Sequence, residues 1–451
     1  MSNIGSERGT ARELFENFGL APFRKIMPSA DFSALAAAND CAPKRARPLT
    51  PEVVVWLMMA VAVQTTSMNQ GLGLAWGWMA LAGFVLRRSC CVTEEAFCQA
   101  REALPLRFWR ALWTCLRHKF EQRFDSALRW KGLRVLAADG TEADVPNVPR
   151  LVRFFTRPRT KLGESKAPQG RLVAVCSALT GFCVDFTFTS RRFSEHLALR
   201  HLIRRLRAQD LLLLDRGFFS YAAIHAIPLQ KADFLLRVPS NVVRYARLVR
   251  TLGDDDSLVE FCPSDNVRRE NPQLPKTLLC RLIRYELPGF RPSWLLTSLL
   301  DVQAFPTAEL VHLYHWRWRI ETIYREWKHG LKIENLRSHT PAGIQKEMFA
   351  HLLLSNLVRF VMTEAAEGSG KTPLEFSFLD ALTSVKNTIA AMSQRNAPIL
   401  ALYQILLADI RSAPIRQRPG RSYPRPGEGK TLHGGFGAPG DRQGVRARPC
   451  D

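Results

Sequence analysis

The sequence predicts an α/β fold, a mixed sheet covered by helices, from three observations. From Arg134 onward, short apolar runs of strand length alternate with amphipathic stretches of helical length. The runs RLVAVCSA and FCVDFTFT flank Thr180-Gly181, which predicts a hairpin. A helix that begins at the capping residue Ser194 is followed by the apolar strand DLLLLD. The order strand, strand, strand, helix, strand, helix is typical of a mixed sheet with helices on its faces.

The chain before this sheet is predicted to be helical, as an N-terminal domain over residues 1–130. Thr50-Pro51-Glu52 supplies a cap, a proline at the first helical position and an early acid, and Thr93-Glu94-Glu95 begins another helix. The stretch LRFWRALWTCLRHKF places arginines between apolar residues at helical spacing. These arginines are candidates for DNA contacts, and the alternative is a solvated helix face.

The rest of the chain divides by changes of pattern. Residues 131–240 and 303–365 form the predicted α/β domain, and residues 241–302 a β-rich insertion inside it. Residues 366–413 are predicted to be a helical C-terminal segment. Residues 414–451 are dense in Gly, Pro and Arg, which predicts a basic tail without fixed structure.

The charge of the chain predicts a polyanionic partner. Lys and Arg number 63 against 41 Asp and Glu, which gives a formal net charge of +22 at pH 7 and a pI near 10.1. Nucleic acid fits best, because neutralising its phosphates releases counterions and supplies affinity without regard to base sequence. Anionic membrane, or a chain that is basic without a functional reason, are the alternatives.

The sequence offers no sign of a membrane span or of export. The longest apolar run, Gly71 to Leu86, contains sixteen residues and four glycines, whereas about 20 residues are needed to cross a bilayer. The N-terminal residues have no apolar core of the kind that signal peptides carry. The ten cysteines form no CxxC pair. We therefore expect no membrane partner, a cytoplasmic location and reduced cysteines.

Two aspartates follow apolar strand-like runs. Asp139 comes at the end of RVLAADG and Asp215 at the end of LLLLDRGF. Strand ends of an α/β sheet present side chains to a crevice, and a carboxylate directly after four leucines needs a partner or an ion. An Asp followed by Gly is also a common way to end a strand at a turn, which is the alternative for Asp139.

A third carboxylate lies in one of two long predicted helices, which run from about Pro306 to Gly330 and from about Pro341 to Thr363. At about 100° per residue, four polar side chains of the first helix fall within an arc of about 60°. They are Tyr314, Arg317, Glu321 and Lys328. The alternative is an intrahelical pair of Arg317 with Glu321 on a wet surface.

These motifs resemble those of a known family. The spacing Tyr314-x2-Arg317-x3-Glu321-x6-Lys328 is similar to the YREK signature of DDE transposases of the bacterial insertion element four family. The segments that begin at Asp139 (DGT) and Asp215 (DRGF) resemble the first and second aspartate motifs of that family. The resemblance covers roughly residues 134 to 365, and all three motifs occur in the family's order.

The resemblance implies a ribonuclease-H-like catalytic core with a β insertion. It implies that Asp139, Asp215 and Glu321 are the catalytic residues and bind two Mg²⁺ or Mn²⁺ ions. Tyr314, Arg317 and Lys328 would contact DNA phosphates near the cut. Trp294, in the predicted strand SWLLTS, takes the place of a tryptophan that stacks on a flipped base in related enzymes, and a core tryptophan is the alternative.

The function that follows is cut-and-paste transposition of an insertion element by metal-dependent DNA cleavage and strand transfer. The expected partners are the terminal inverted repeats, the target DNA and a second copy of this chain, since two DNA ends have to be joined. Two alternatives remain open. One is a metal nuclease of the ribonuclease H fold, and the other is a DNA-binding protein derived from a transposase that has no catalytic activity.

Overall fold

In the computed structural model the described residues are 23, 26–43, 49–63, 67–81, 92–160, 163–286, 291–392, 394 and 397–415. The chain divides into one compact unit that ends at Pro414 and a second unit, Ile415–Asp451. Only Ile415 of the second unit is described, so the predicted basic tail from residue 416 onward lies outside the described residues.

Helices form the N-terminal part of the first unit, as the sequence predicts. The helices before the sheet are α1 (Ser29–Ala38), α2 (Pro51–Val63), α3 (Met68–Leu81), α4 (Glu94–Ala103) and α5 (Leu106–Arg123). Both predicted caps form: the Thr50 hydroxyl accepts from the Val53 amide at 3.3 Å, and the Thr93 hydroxyl accepts from the Ala96 amide at 3.2 Å. Among the described residues no helix is both long and apolar enough to cross a bilayer.

The strands follow. They are β1 (Arg129–Trp130), β2 (Leu133–Asp144), β3 (Arg159–Thr160), β4 (Gly163–Glu164), β5 (Gln169–Ser177), β6 (Cys183–Ser190), β7 (Asp210–Leu214), β8 (Asp233–Val238), β9 (Ala246–Gly253), β10 (Asp256–Phe261), β11 (Leu278–Tyr285) and β12 (Ser293–Thr297). Nine of these strands form one sheet in the order β6-β5-β2-β7-β8-β12-β11-β10-β9, and β1 pairs with β2 at its side. Strands β3 and β4 form a separate pair.

The first five strands of that order build a ribonuclease-H-like sheet. Strands β6, β5 and β2 are mutually antiparallel, whereas β7 and β8 run parallel to β2. The parallel strand β7 is buried at every position, as is typical of a parallel strand inside an α/β sheet. Gly181, in the predicted hairpin between β5 and β6, has a φ of +74°, a conformation that glycine adopts without strain.

The predicted β-rich insertion continues the same sheet. Strand β12 pairs with β8 on one side and with β11 on the other, and β10 and β9 complete the row. The backbone groups at the outer side of β8 are therefore bonded to the insertion instead of facing solvent.

Helices after β2 complete the unit. They are α6 (Pro149–Phe155), α7 (Glu195–Ile203), α8 (Tyr221–Ala226), α9 (Asp265–Glu270), α10 (Thr307–His315), α11 (Arg319–His329), α12 (Pro341–Ala366), α13 (Phe378–Met392) and α14 (Ile399–Ser412). The first of the two predicted long helices is divided, because a 3-10 turn at Trp316–Trp318 separates α10 from α11. The second is α12, which is buried over most of its length.

One sequence prediction about a strand is wrong. The run RVLAADG was expected to stop at a turn after Asp139, but β2 continues to Asp144. The reason is that β5 keeps pairing with β2 as far as Asp144 opposite Gln169, so the backbone groups beyond Gly140 still have partners. The Asp-Gly pair lies inside an extended strand.

The acidic run at residues 254–256 has a structural role that the sequence did not reveal. Asp256 begins β10 and is buried against Arg281 of β11, whose Nε lies 2.9 Å from both carboxylate oxygens. The Thr307 hydroxyl donates to the same carboxylate at 2.6 Å, and the Arg281 guanidinium donates to the Phe305 carbonyl at 2.7 Å. This buried network ties the insertion to the start of α10.

Removal of the buried Asp256 carboxylate should therefore destabilise the fold. Asp256→Ala leaves the Arg281 charge buried and unpaired, which we expect to lower the free energy of unfolding by about 3–5 kcal/mol. The neighbouring Asp255, which is half exposed and pairs with Arg284, is the matched control, and Asp255→Ala should cost no more than about 1 kcal/mol. Chemical denaturation measures both, and equal losses for the two variants would contradict the proposed role of the network.

Candidate active site

The register of two parallel strands fixes the positions of the first two acidic side chains of the site. Strand β2 pairs with β7 through Ala137 opposite Leu213, where the pairing ends. Asp139 lies two residues after Ala137 on β2, and Asp215 lies two residues after Leu213, directly beyond the end of β7. The same register therefore places the two aspartates side by side. Neighbouring strands are about 4.8 Å apart. Both aspartates are partly exposed, and they lie at the carboxyl end of β7, where α/β sheets present ligand-binding groups.

Tyr314 of α10 holds the second aspartate. Its hydroxyl lies 3.2 Å from the Leu214 carbonyl oxygen and 3.4 Å from Oδ1 of Asp215. The tyrosine is only 2% exposed. Burial, and then the negative charge of Asp215, raise the pKa of this phenol, so it stays protonated and can donate. Tyr314 therefore orients Asp215 from the protein interior.

Arg317 connects the remaining acids. It lies in the 3-10 turn, and its guanidinium is 3.0 Å from Oε1 of Glu321 and 3.9 Å from Oδ2 of Asp139. Burial acts to lower the pKa of Arg317, but Tyr314, Asp215, Glu321 and Asp139 outweigh it and raise the pKa. Its Nε is buried and has no hydrogen-bond partner among the described residues.

The carboxyl of Asp139 is strongly perturbed. Burial is the main cause that raises its pKa to about 6 from the usual value of 3.8. The Gly140 amide, which donates to Oδ1 at 2.8 Å, and the charge of Arg317 act in the opposite direction. Glu321 and Asp215 raise the pKa further. The three acids of the sequence prediction are thus close enough to influence one another, and burial is what leaves the pKa of Asp139 raised.

The donors suit a hard divalent cation in their chemistry. Carboxylate oxygens are the ligands that Mg²⁺ and Mn²⁺ prefer, and such ions keep several waters, so a few carboxylates suffice. Among the described residues no three His, Cys, Asp or Glu side chains are gathered tightly enough to form a complete metal cluster. Arg317 supplies positive charge beside the acids. A bound cation would add to it and favour the ionised form of the Asp139 carboxyl.

Lys328, the fourth of the polar side chains predicted to lie within one arc, is near the end of α11. Its ammonium group donates to the Glu142 carbonyl at 2.7 Å and pairs with Glu334 at 3.1 Å. Glu321 and Lys328 both lie on α11, seven residues apart, so they share one face of the helix but stand about 10 Å apart along its axis. Lys328 therefore contacts the continuation of β2, and the structure places it apart from the acidic pairs.

Trp294 lines a cavity beside the acidic residues. The side chain is half-buried on β12, opposite Val238 of β8 and Arg284 of β11. The cavity has a volume of about 520 Å³. Its lining is aromatic and basic and includes Trp294, Tyr285, Trp318, Tyr314, Arg216, Arg237 and Arg291.

The sequence interpretation missed one residue of this region. Tyr324, three residues after Glu321 on α11, reaches the backbone of β2 at Asp139 with its hydroxyl group. The available signal was the spacing of three, which places both side chains on one face of a helix. The apolar neighbours Ile323 and Trp327 made Tyr324 look like an ordinary core residue.

Comparisons with known proteins identify the family to which the chain belongs. Residues 130–357 match the family model described as the transposase DDE domain. The transposase InsG for insertion sequence element IS4 of Escherichia coli (strain K12) is 28% identical over 343 residues, which are 74% of this chain and 76% of that protein. A putative transposase, y4zB, of Sinorhizobium fredii is 27% identical over 151 residues, 33% of this chain and 41% of that protein.

A solved structure was also matched, the cryo-EM structure of the piggyBac transposase synaptic complex with hairpin DNA. It has a TM-score of 0.44 and 13% sequence identity, over 90% of this chain and 87% of that chain. The family model spans the strands and helices that carry Asp139, Asp215 and Glu321. The chain therefore belongs to the DDE transposases, in the insertion element four (IS4) family that its motif spacing resembles.

Proposed function

We propose that this protein moves an insertion element by cutting DNA at the element's ends and joining those ends to target DNA. The observation that carries the proposal is that Asp139, Asp215 and Glu321 lie close to the Arg317 guanidinium at the carboxyl end of β7 in a ribonuclease-H-like sheet. Such a group of acids, brought together from distant parts of the chain, supports divalent metal chemistry on a phosphodiester.

We assign Asp139, Asp215 and Glu321 as the ligands of two Mg²⁺ or Mn²⁺ ions. When bound, such ions supply a deprotonated water or 3′-hydroxyl as nucleophile and neutralise the charge that develops on the phosphate and on the leaving oxygen. Tyr314 keeps the Asp215 carboxylate oriented by its hydrogen bond. Arg317, whose guanidinium lies beside Asp139 and Glu321, donates to a phosphate oxygen next to the acids.

We further propose that the cavity beside Trp294 takes a displaced base. Its lining combines aromatic faces, which return part of the stacking energy lost when a base leaves the duplex, with arginines that neutralise phosphates. Lys328 is assigned to a phosphate further along the same DNA strand, since about a third of its side chain remains exposed. The net charge of +22 supports binding of the inverted repeats and of target DNA.

Loss of either aspartate should abolish the chemistry and spare DNA binding. Asp139→Asn and Asp215→Asn remove a metal ligand with little change of shape, so we expect nicking and joining to fall on the order of 1000-fold. Binding to end DNA should stay within about twofold, because phosphate contacts supply that affinity. The assay uses purified protein, end DNA, a target plasmid and Mg²⁺ or Mn²⁺.

The matched control is Asp144→Asn, at the exposed end of the same strand, which should keep both activities. Joined product distinguishes transposition from simple cleavage. Cleavage without joining would favour a metal nuclease. End binding by the wild-type protein with no nicking would favour a DNA-binding protein without catalytic activity.

The pKa of Asp139 gives a test that does not depend on DNA. Above about pH 6 the carboxyl is ionised in both the folded and the unfolded protein, and the fold bears the cost of a charge that is buried among other acids. As the pH falls through 6 towards 4, the folded protein takes up a proton first and the cost disappears. Asp139→Asn should therefore raise the melting temperature on the order of a few degrees at pH 7.5, and by much less at pH 4.

The measurement is thermal unfolding in a chelating buffer, with Asp144→Asn as the control that should show no such gain. A stabilisation by Asp139→Asn that is equal at both pH values would rule out a perturbed carboxyl. Added Mn²⁺ should raise the melting temperature of the wild-type protein and leave that of Asp139→Asn nearly unchanged, because only the former retains all the ligands.

We expect two copies of the chain in the DNA complex, since two ends have to be brought together before they are joined. Native mass spectrometry of the complex with end DNA should give a mass that corresponds to two protomers. A complex of one protomer with one end, under conditions that support joining, would contradict this assembly.

A further inference from the structure

The hydroxyl of Tyr324 lies between two strands at the level of the first aspartate. Asp139 of β2 and Ala174 of β5 are directly opposite each other in the antiparallel ladder. The Tyr324 hydroxyl donates to the Asp139 carbonyl oxygen and accepts from the Ala174 amide at 3.2 Å. One side-chain oxygen of the helix α11 thus contacts both strands beneath the carboxylate that the proposed mechanism uses.

The ring of Tyr324 is held in place by its neighbours. It is buried and packs against Trp327 with ring centroids 5.3 Å apart, and the Trp327 indole donates to the Ser355 hydroxyl of α12 at 2.8 Å. Buried aromatic rings in such contacts have little rotational freedom. The position of the hydroxyl is therefore determined by the helices and does not adjust freely to β2.

A second bond joins the same helix to the same strand. The Lys328 ammonium donates to the Glu142 carbonyl at 2.7 Å. Tyr324 and Lys328 thus bond backbone carbonyls of β2 that are three residues apart, and we call these two bonds the carbonyl clasp. Glu321 stands on α11 one turn before Tyr324, so the clasp fixes the helix of the glutamate against the strand of the aspartate.

The carbonyl clasp differs in kind from the contacts that Arg317 makes with Asp139 and Glu321. Arg317 joins Asp139 and Glu321 through charges, and these contacts are the ones that change when a phosphate or a cation enters. The Tyr324 bonds involve a neutral hydroxyl and backbone groups in the interior, so they persist whatever the charge of the site. Displacement of a reacting group by about 1 Å can cost on the order of 100-fold in rate.

We propose that Tyr324 is a positioning residue, which sets the separation of Asp139 and Glu321 by bonding the Asp139 carbonyl and the Ala174 amide from the glutamate's own helix. The proposal rests on the proposed function for the consequence in catalysis. Its structural part, the stiffening of β2 at Asp139, holds whether or not the protein cuts DNA.

The test is Tyr324→Phe in the full chain, which removes one oxygen and keeps the ring against Trp327. Tyr221→Phe is the matched control, since Tyr221 is also buried and its hydroxyl donates to a backbone carbonyl, that of Pro275 at 3.0 Å, away from the acidic residues. The first readout is hydrogen exchange of the peptides 134–144 and 169–177. The second readout is kcat and KM for end cleavage with Mn²⁺.

Tyr324→Phe should speed exchange in both peptides about fivefold, the effect of losing one buried hydrogen bond. It should lower kcat about tenfold or more and leave KM for end DNA within about twofold. Tyr221→Phe should change neither peptide nor kcat. If Tyr324→Phe is too unstable to assay, 4-aminophenylalanine at the same position, which keeps the ring and a donor, should preserve slow exchange and kcat.

Unchanged exchange at residues 134–144 in Tyr324→Phe would overturn the proposal. A change confined to KM, or an equal effect of Tyr221→Phe, would overturn it as well. Fast exchange in the 4-aminophenylalanine protein would also contradict it. Absence of any cleavage by the wild-type protein would contradict the proposed function alone, because the exchange measurement still decides whether Tyr324 stiffens β2.

Discussion

The parallel pairing of β2 with β7 is the constraint on which the rest of the site depends. It fixes Asp139 and Asp215 at equivalent positions on neighbouring strands, and the pairing ends two residues before them. Since a shift of one residue would turn either side chain to the opposite face of the sheet, the register has to be maintained closely. The apolar residues of β7, buried on both faces, maintain it. The core and the site are thus specified by the same pairing.

Charge compensation is the second requirement. Three carboxylates cannot lie close together in a partly buried position without a cation. In this structure Arg317 supplies the positive charge, with Tyr314 bonded to one acid and the Gly140 amide to another. The compensation is incomplete, because burial, which these contacts do not offset, still raises the pKa of Asp139. This incompleteness links stability to function, because groups that would hold metal ions destabilise the protein that lacks them.

Much of this architecture was predictable from the sequence. The succession of strands and helices along the chain, the hairpin at Thr180-Gly181 and the helix caps follow from local patterns, and the three acids follow from motif spacing that resembles a known family. The continuation of β2 past Gly140 was not predictable, because it depends on pairing with β5, which is distant in sequence. The burial of Asp256 depends on Arg281 in the same way, and the division of the first long helix into α10 and α11 depends on a 3-10 turn that apolar periodicity does not reveal.

The attachment of β12 to β8 has a consequence for how such a chain can vary. The strands β11, β10 and β9 lie progressively further from the acids, so their outer loops can change without disturbing the register of β2 and β7, provided that the buried pair of Asp256 and Arg281 is kept. Strand β12 has no such freedom, since without it the apolar strand β8 would become an open edge able to pair with other chains. A shortened relative of this protein would need to retain β12, or to cover β8 by other means, in order to remain free of aggregation.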